Sequence, residues 1–377
     1  MSIRLAGMGW VTPLGRGIGQ VWEALRRGER ANTEQVSSPL NERTYPVYRV
    51  PQSATATLPP HSRLRRSSAI SRFAVAAGLD ALEEAGLKLD AEAAARTALV
   101  FASANGGVVY TKRFYHEVVE TGARAASPLL FPETVFNAPA SHLAAILGIT
   151  GASYTVVGDG AVGLLAMKMA EDLMASEALD QCLVVAAEEV DWLLCDAYRR
   201  WRLLRATAPV EPFALPARGT ILSEGAGALV LSRAGDVRLE QVDPGSNFAR
   251  QREAPTHVGR VVANLAGSEI DLVSASANGT FVDEAERRAF AEYCPHARVY
   301  PIKGALGEGV GAASLWQVIC AGQALRTNTL PTASQTVLHA GEVTVDARVE
   351  RHAFGRAIVS ACGLNQQVAG LALSLAN

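Results

Sequence analysis

The sequence predicts an α/β protein of five layers, α/β/α/β/α, built from two similar halves. The chain has 377 residues, of which 49% are hydrophobic and 19% are charged, so it can bury a sizeable core. A short strand at 154–157 and a tight turn at 158–160 lead into a helix from residue 161 that is apolar nearly all round. Such a helix has to be covered on every side, and a middle helix layer shared by two sheets would cover it. The order of elements in residues 1–233 recurs in 234–377, and these two ranges are the predicted halves.

The elements of the first half follow from hydrophobic spacing and helix stop signals. The helix at 71–86 carries Phe73, Ala77 and Leu82 on one stripe and ends at a glycine. The continuous apolar run at 181–187 is typical of a strand buried on both faces. The predicted strands are 3–11, 97–102, 154–157, 181–187 and 225–232, and the predicted helices are 19–27, 71–86, 106–120, 139–147 and the one from 161.

Two stretches of the first half are predicted as loop insertions. Residues 29–66 are polar and rich in proline, and residues 191–221 mix aromatic and basic side chains. We expect both to be excursions from the core, because neither has the spacing of a buried element.

The second half shows a similar order of elements with negligible sequence identity to the first. A helix at 309–325 follows a glycine-rich turn, as the helix from 161 does. The repeat is therefore one of element order only. The predicted strands are 270–275, 298–302, 357–361 and 367–375, and the predicted helices are 283–293 and 309–325.

Composition excludes several classes of protein. A net charge of −2 gives no general attraction to nucleic acids or to anionic membranes. The five cysteines are scattered, which favours reduced thiols in a cytoplasm over a disulfide framework or a metal site. The first residues lack the pattern of a signal peptide, and no run reaches the roughly 18 apolar residues of a membrane span. We therefore expect a cytoplasmic protein that binds no metal.

The turn between the strand at 154–157 and the buried helix has the layout of an active site. A helix N-terminus favours negative charge, and many acyl-transfer enzymes place a nucleophile there. The turn residues here are Gly158, Asp159 and Gly160, and none is a good nucleophile. The sequence therefore predicts the architecture of an active site without its reactive atom.

Collinear segments along nearly the whole chain resemble the ketosynthase branch of the thiolase fold. They are GMGWVTPLG, WEALRRGE, ALEEAGL, SPLLFPETVFN, PFALPARG and SEGAGALVLSR, in the order of the family. The resemblance implies a thiolase-like five-layer fold. It also implies where the reactive groups of an active ketosynthase, one cysteine and two histidines, would stand.

All three of these positions are degenerate in this chain. By the resemblance, Gly160 stands in the place of the cysteine and Ser276 in that of the first histidine. The segment of the second histidine keeps its lysine, Lys303, and has Glu308 five residues later. The loop that gates the site in the family is also altered, to 362–365. The resemblance therefore implies that no conventional condensation takes place here.

One subfamily, the chain-length factors of type II polyketide synthases, is similar in this respect. Such a factor pairs with an active ketosynthase and has an acidic residue before the cysteine position, which Asp159 matches. Gly160 departs from the glutamine of factors for aromatic products, and Glu308 after Lys303 resembles factors of polyene-making systems. The resemblance implies a heterodimer with an active ketosynthase and no cofactor of the chain's own. It implies that the acyl chain is carried on the phosphopantetheine of an acyl carrier protein.

The resemblance also locates two surfaces. In this subfamily a helix at the dimer interface closes the acyl tunnel, and its gate positions fall on Val108, Thr111 and Tyr115, which share one helix face. We expect a tunnel of medium length, closed at Tyr115. A second candidate surface, for a carrier protein or a partner subunit, is the basic and aromatic run that includes Arg199, Arg200, Trp201 and Arg202; a solvated excursion is the alternative.

Structural roles compete with functional ones at each site residue. Gly160 alternatively serves as a turn glycine, and Asp159 is expected as a helix cap. Glu308 and Lys303 are expected to form a buried ion pair. The remaining two expectations concern loop hydrogen bonds at Ser276 and Asn278 and a core thiol at Cys362.

Two other functions compete with a chain-length factor. One is an enzyme that uses Asp159, Ser276 or Glu308 for thioester hydrolysis, decarboxylation or acyl transfer. The other is a homodimeric scaffold that kept the fold and lost the chemistry.

Overall fold

The β-strands of the computed structural model form one long sheet path and a separate two-stranded ribbon. The structure describes residues 2–65, 67–267, 269–331, 335–339, 342–346 and 353–376. The strands are β1 (Ile3–Thr12), β2 (Gly15–Arg16), β3 (Thr33–Ser37), β4 (Thr44–Tyr48), β5 (Thr97–Ser103), β6 (Ser153–Val157), β7 (Gln181–Glu188), β8 (Gly225–Ser232), β9 (Val237–Asn247), β10 (Leu272–Ser274), β11 (Arg298–Tyr300), β12 (Gln335–His339), β13 (Glu342–Asp346), β14 (Arg356–Cys362) and β15 (Gln367–Leu375).

The helices lie between these strands and on both outer faces. They are α1 (Ile18–Arg26), α2 (Ser53–Ala56), α3 (Ala69–Glu84), α4 (Ala91–Ala95), α5 (Val108–Thr121), α6 (Ala138–Leu147), α7 (Val162–Leu173), α8 (Trp192–Arg200), α9 (Ala254–Leu265), α10 (Phe281–Tyr293), α11 (Lys303–Leu306) and α12 (Gly311–Thr327).

Two sets of five strands have the same order and the same directions. In the first set the order is β6-β5-β7-β8-β1, and in the second it is β11-β10-β14-β15-β9. The first two neighbouring pairs in each set are parallel and the last two are antiparallel. The two sets join where Ile3, Arg4 and Leu5 of β1 pair with β9. Backbone hydrogen bonds between these two strands connect the sets into one sheet path. The element order thus repeats as predicted, and a boundary at 233/234 stays a prediction.

Helices separate the two sets into five layers. The central helices α7 and α12 pack on each other and contact strands of both sets. On one outside face α3 and α6 cover the first set, and on the other α9 covers the second, with α10 packed against α9. The α/β fold class predicted from the sequence is confirmed.

The close contact between the two central helices depends on a glycine of α7. A Cβ atom on Gly163 would lie 2.4 Å from Ser314 Oγ of α12. Because real Cβ atoms do not approach so closely, only glycine permits this helix spacing. The contact also explains why the first turns of α7, which are nearly all apolar, are buried, as the sequence predicts.

The prediction of irregular structure at 29–66 is wrong in part. This stretch contains the β3–β4 ribbon and the short helix α2. Tyr45, Val47 and Tyr48 of β4 are buried, but nearly all of β3 is exposed and Pro46 interrupts the strand pattern. A ribbon with one exposed strand and a proline gives a weak sequence signal.

The segment 191–221 begins with a regular helix, α8, and returns to the core. Leu194, Cys195 and Tyr198 of α8 are buried. Two further elements, β9 and α9, have no counterpart among the predicted ones. β9 begins with the alternation of apolar and charged residues that is typical of a strand with one exposed face, a signal that the sequence analysis missed, and Pro244 interrupts that pattern in its second part.

No helix in the described part of the chain is long and apolar enough to cross a membrane.

Candidate functional site

The predicted turn lies between β6 and α7 and faces the hairpin loop 363–366, which connects β14 and β15. The carboxylate of Asp159 is buried and accepts hydrogen bonds from the backbone N–H groups of Asn365, at 2.8 Å, and Gln366, at 3.0 Å. The N-cap of α7 is Ala161, and no side chain caps it. The prediction that Asp159 is a helix cap is therefore wrong. The helix begins too late for a cap by Asp159, and its carboxylate binds the loop instead.

Gly160 lies directly under the same loop. A Cβ atom at this position would lie 3.0 Å from Gly363 Cα and 3.7 Å from the carbonyl oxygen of Cys362. A contact of 3.0 Å is tighter than almost any real Cβ contact, so the loop occupies the space that a side chain would need. Gly160 is therefore a glycine that close packing requires. The element that it allows to approach is the loop 363–366 and not the helix α7.

Lys303 and Glu308 form the ion pair expected from the sequence. Lys303 Nζ lies 2.8 Å from Glu308 Oε2, and the two side chains are 1% and 2% exposed. Glu308 also accepts hydrogen bonds from Asn278 Nδ2, at 2.5 Å, and from the N–H of Val310, at 2.9 Å. Both carboxyl oxygens of Glu308 thus have hydrogen-bond donors: Oε2 bonds Lys303 and Asn278, and Oε1 bonds Val310.

Ser276 connects this ion pair to the end of β14. Its hydroxyl oxygen accepts hydrogen bonds from Lys303 Nζ, at 3.0 Å, and from the N–H of Cys362, at 3.2 Å, and donates to the carbonyl of Cys362 at 3.2 Å. The side-chain oxygen of Asn278 accepts a hydrogen bond from the hydroxyl of Thr280, at 2.6 Å. The loop hydrogen bonds expected at Ser276 and Asn278 are confirmed.

Two carboxyl groups of α10 belong to the site and were missed by the sequence analysis. Glu286 accepts a hydrogen bond from the N–H of Ser276 at 2.9 Å, and burial raises its pKa to about 8. Asp283 accepts hydrogen bonds from the N–H groups of Asn278 and Gly279, and burial raises its pKa to about 6. Their spacing of three residues places both on one face of a predicted helix, but nothing in the sequence marks that face as buried.

Cys362 is the thiol at this site, and it is 1% exposed. Burial, followed by the carboxylates of Glu286 and Asp159, raises its pKa well above the usual range. A thiol attacks only as a thiolate, so a buried thiol with a raised pKa is a poor nucleophile. The expectation of a core thiol agrees with this environment.

The predicted gate residues lie on α5, which has no fully buried residue. Val108 is half-buried and packs against the core of the second set of strands. Thr111 is exposed and donates a hydrogen bond to the carbonyl of Gly107 at 3.0 Å, and Tyr115 is 68% exposed. Tyr115 is therefore on the outside of this chain, where a partner could contact it.

Exposed apolar side chains are concentrated on this helix and on two other segments of the chain. Eight of the fourteen exposed large hydrophobic residues in the described part of the chain lie on α5, on the segment 129–136 or on β6, which is the edge strand of the sheet path. They are Tyr115, Val119, Leu129, Phe131, Val135, Phe136, Tyr154 and Val157. We call this set the α5–β6 surface. Exposed apolar patches and unpaired strand edges are typical of protein interfaces.

The basic run lies at the end of α8. Arg199, Arg200 and Arg202 are exposed, and Trp201 is 50% exposed with its ring centroid 5.4 Å from that of Tyr198. Burial, then the carboxylates of Asp159 and Glu308, raise the pKa of Tyr198 well above its usual range. One buried ring thus separates the basic surface from the polar site.

Among the described residues, no group of three or more histidine, cysteine, aspartate or glutamate side chains could hold a metal ion.

The family models identify the protein class that this fold and site define. Residues 2–236 match the N-terminal domain of beta-ketoacyl synthase, and residues 242–336 match its C-terminal domain. The chain belongs to the beta-ketoacyl synthase family.

Two curated relatives match most of the chain. Nodulation protein E of Rhizobium sp. (strain N33) is 24% identical over 354 residues, which cover 87% of each protein. The 3-oxoacyl-[acyl-carrier-protein] synthase 2 of Vibrio cholerae is 25% identical over 284 residues, 73% of this chain and 66% of the relative.

Two solved structures confirm the fold. The ishigamide ketosynthase/chain length factor superposes with a TM-score of 0.87 at 20% identity. The superposition covers 100% of this chain and 99% of the chain of that structure. The ketosynthase ApeO in complex with its chain length factor ApeC, from Xenorhabdus doucetiae, gives a TM-score of 0.82 at 17% identity and coverages of 100% and 98%.

Proposed function

We propose that this chain is a chain-length factor, a non-catalytic ketosynthase-like subunit that pairs with an active ketosynthase in type II polyketide assembly. It shapes the tunnel that receives the acyl chain carried on the phosphopantetheine of an acyl carrier protein. The observation that carries the proposal is the buried Lys303–Glu308 ion pair with Ser276 bonded to it. By the resemblance, Ser276 and Glu308 stand where an active ketosynthase has its two histidines. Because these side chains saturate one another, none is available as a base.

The nucleophile position supports the same proposal. Gly160 has no side chain, and the thiol of Cys362 has a raised pKa. The hydroxyl of Ser276 already donates to a backbone carbonyl and accepts two hydrogen bonds. Thioester chemistry by Asp159, Ser276 or Glu308 therefore lacks an activated nucleophile.

The α5–β6 surface supports a partner of the same fold. Its apolar side chains and the free edge of β6 favour an extended contact with another chain. We propose an active ketosynthase as that chain. Val108, Thr111 and Tyr115 would then close the partner's tunnel from outside.

Resizing Tyr115 tests this role. In a reconstituted pair with the cognate ketosynthase and carrier protein, Tyr115→Ala is expected to lengthen the product by one or more extension units, because it opens space at the end of the tunnel. Val108→Phe is expected to shorten the product. Mass spectrometry of the released polyketides measures both changes.

Tyr293→Ala provides the matched control, since Tyr293 is also exposed but lies at the end of α10 in an outer layer. Its product distribution should equal that of the wild type. An unchanged distribution in both Tyr115→Ala and Val108→Phe would show that the gate is elsewhere. Co-purification with a cysteine-containing relative is expected, whereas a stable homodimer without such a partner would favour a scaffold.

The basic run at 199–202 is proposed to bind the acidic carrier protein. Arg199→Glu combined with Arg200→Glu is expected to raise the Kd for the carrier protein about tenfold at low salt, through like-charge repulsion. The difference should shrink as ionic strength rises, as titration calorimetry at two salt concentrations would show. Arg252→Glu, an exposed arginine beside α9, is the control, and an equal effect there would argue against a specific site.

The activity of the isolated chain tests the alternative function, an enzyme that hydrolyses, decarboxylates or transfers acyl thioesters. We expect no turnover of malonyl or acyl thioesters without the partner. Turnover that Glu308→Gln abolishes would contradict the proposal and assign this site a different chemistry.

A further inference from the structure

We propose that Asp159 and the residues at the degenerate positions fasten the hairpin loop 363–366 over the turn 158–160, so that acyl groups cannot reach this turn. The inference rests on the proposed non-catalytic role and extends it. It assigns the acyl chain to the partner's pocket alone and gives the substituted residues a positive structural task.

The first fastening is the carboxylate of Asp159. It accepts hydrogen bonds from two successive backbone N–H groups of the loop, those of Asn365 and Gln366, at 2.8 and 3.0 Å. The backbone N–H of Asp159 in turn donates to Gln367 Oε1 at 2.9 Å. Hydrogen bonds to a carboxylate are stronger than those between neutral groups, and this carboxyl group is buried, with Asp159 7% exposed, although Asn365 and Gln366 are themselves exposed.

The second fastening is Ser276. Its hydroxyl bonds both the N–H and the carbonyl of Cys362, the residue at which the loop begins. Lys303 Nζ donates a hydrogen bond to the same hydroxyl at 3.0 Å, and Glu308 forms the ion pair with Lys303. The loop is thus tied at one end by the ion-pair network and at the other by Asp159.

The two glycines between these ties allow the contact. A Cβ atom on Gly363 would lie 1.9 Å from Asp159 Oδ2, and one on Gly160 would lie 3.0 Å from Gly363 Cα. Any larger side chain at position 160 would meet the loop. The closed position of the loop therefore depends on the absence of a side chain at position 160.

Hydrogen exchange of the full chain tests the first fastening. Asp159→Ala is expected to speed exchange at the amides of Asn365 and Gln366 at least tenfold. The control Asp90→Ala also removes a carboxylate that accepts a backbone N–H, that of Ala93, and should leave the loop unchanged. Unchanged exchange at both loop amides in Asp159→Ala overturns the proposal.

A pair of glycine variants tests the contact with Asp159 retained. Gly363→Ala should speed exchange at the same two amides at least tenfold, because its methyl group displaces the carboxylate. Gly355→Ala is the matched control, since its Cβ atom would lie an ordinary 3.5 Å from the carboxylate of Asp271. Equal exchange in the two variants contradicts the fastening.

The native thiol of Cys362 tests whether the loop is closed, since it is 1% exposed and lies at the start of the loop. It should react slowly with iodoacetamide in the wild type, as peptide mass mapping would show, and at least tenfold faster in Gly363→Ala, which retains the carboxylate of Asp159. Rapid reaction in the wild type, or an unchanged rate in Gly363→Ala, overturns the proposal. These readouts use neither partner nor acyl substrate, so their failure and a failure of the chain-length experiment are separate results.

Discussion

Replacing Lys303 by methionine is expected to lower the free energy of unfolding by about 3–5 kcal/mol. The substitution removes one member of a buried pair and leaves the carboxylate of Glu308 in the interior without its cation. Ser276 loses a hydrogen bond at the same time. Urea unfolding, with m-values compared between variants, measures the loss.

The double variant Lys303→Met/Glu308→Gln separates the charge from the packing. Without either charge, most of the stability should return, to within about 2 kcal/mol of the wild type, because neutral replacements avoid desolvating ions. Lys168→Met is the surface control, since Lys168 pairs with Glu171 and Asp172 while 34% exposed, and should cost less than about 1 kcal/mol. A loss equally small for Lys303→Met would contradict a buried ion pair.

Glu286→Gln is expected to make the protein more stable than the wild type at alkaline pH. The folded-state pKa of Glu286 is about 8, above its ordinary value of 4.5, because the carboxyl is fully buried. Between these two pH values the unfolded chain releases the proton while the folded chain keeps it. The stability that this group contributes is therefore complete below pH 4.5 and is lost as pH rises through 8, by up to roughly 5 kcal/mol.

Glutamine has no proton to lose, so this decline should be absent in the variant. Chemical unfolding at pH 5.5, 7 and 9 measures the difference between the two proteins, which should grow with pH. Glu284→Gln on the same helix is the control. Glu284 is paired with Arg287 and Arg288 and its pKa is lowered, so its difference from the wild type should be constant over this range. A constant difference for Glu286→Gln as well would argue against a buried carboxyl with a raised pKa.

Local spacing predicted those parts of the site whose residues are near in sequence. Lys303 and Glu308 are five residues apart across a tight turn, and a lysine and a glutamate so close in a buried segment are expected to pair. Asp159 was assigned to the helix beside it, because a cap is the commonest use of an aspartate at that place. Its actual partners, Asn365 and Gln366, are more than 200 residues away and carry no sign of the contact, since they use backbone N–H groups.

The same reason explains the two carboxyl groups that were missed. In sequence, Asp283 and Glu286 look like the polar residues of an amphipathic helix, and only the tertiary packing of α10 buries them. Burial then raises the pKa of each. The ribbon β3–β4 shows the converse, a regular element hidden by exposed and proline-containing sequence.

The sequence by itself determined the layered α/β fold, because hydrophobic period is a local property, and its resemblance to ketosynthases implied that the thiol and the imidazoles of an active member are replaced. Only the tertiary structure decided what replaced them. The strand order brings the β14–β15 hairpin over the turn between β6 and α7, so side chains from both sets of strands meet there. Hydrogen bonds that join a side chain to a distant backbone depend on this approach through space, which no local pattern records.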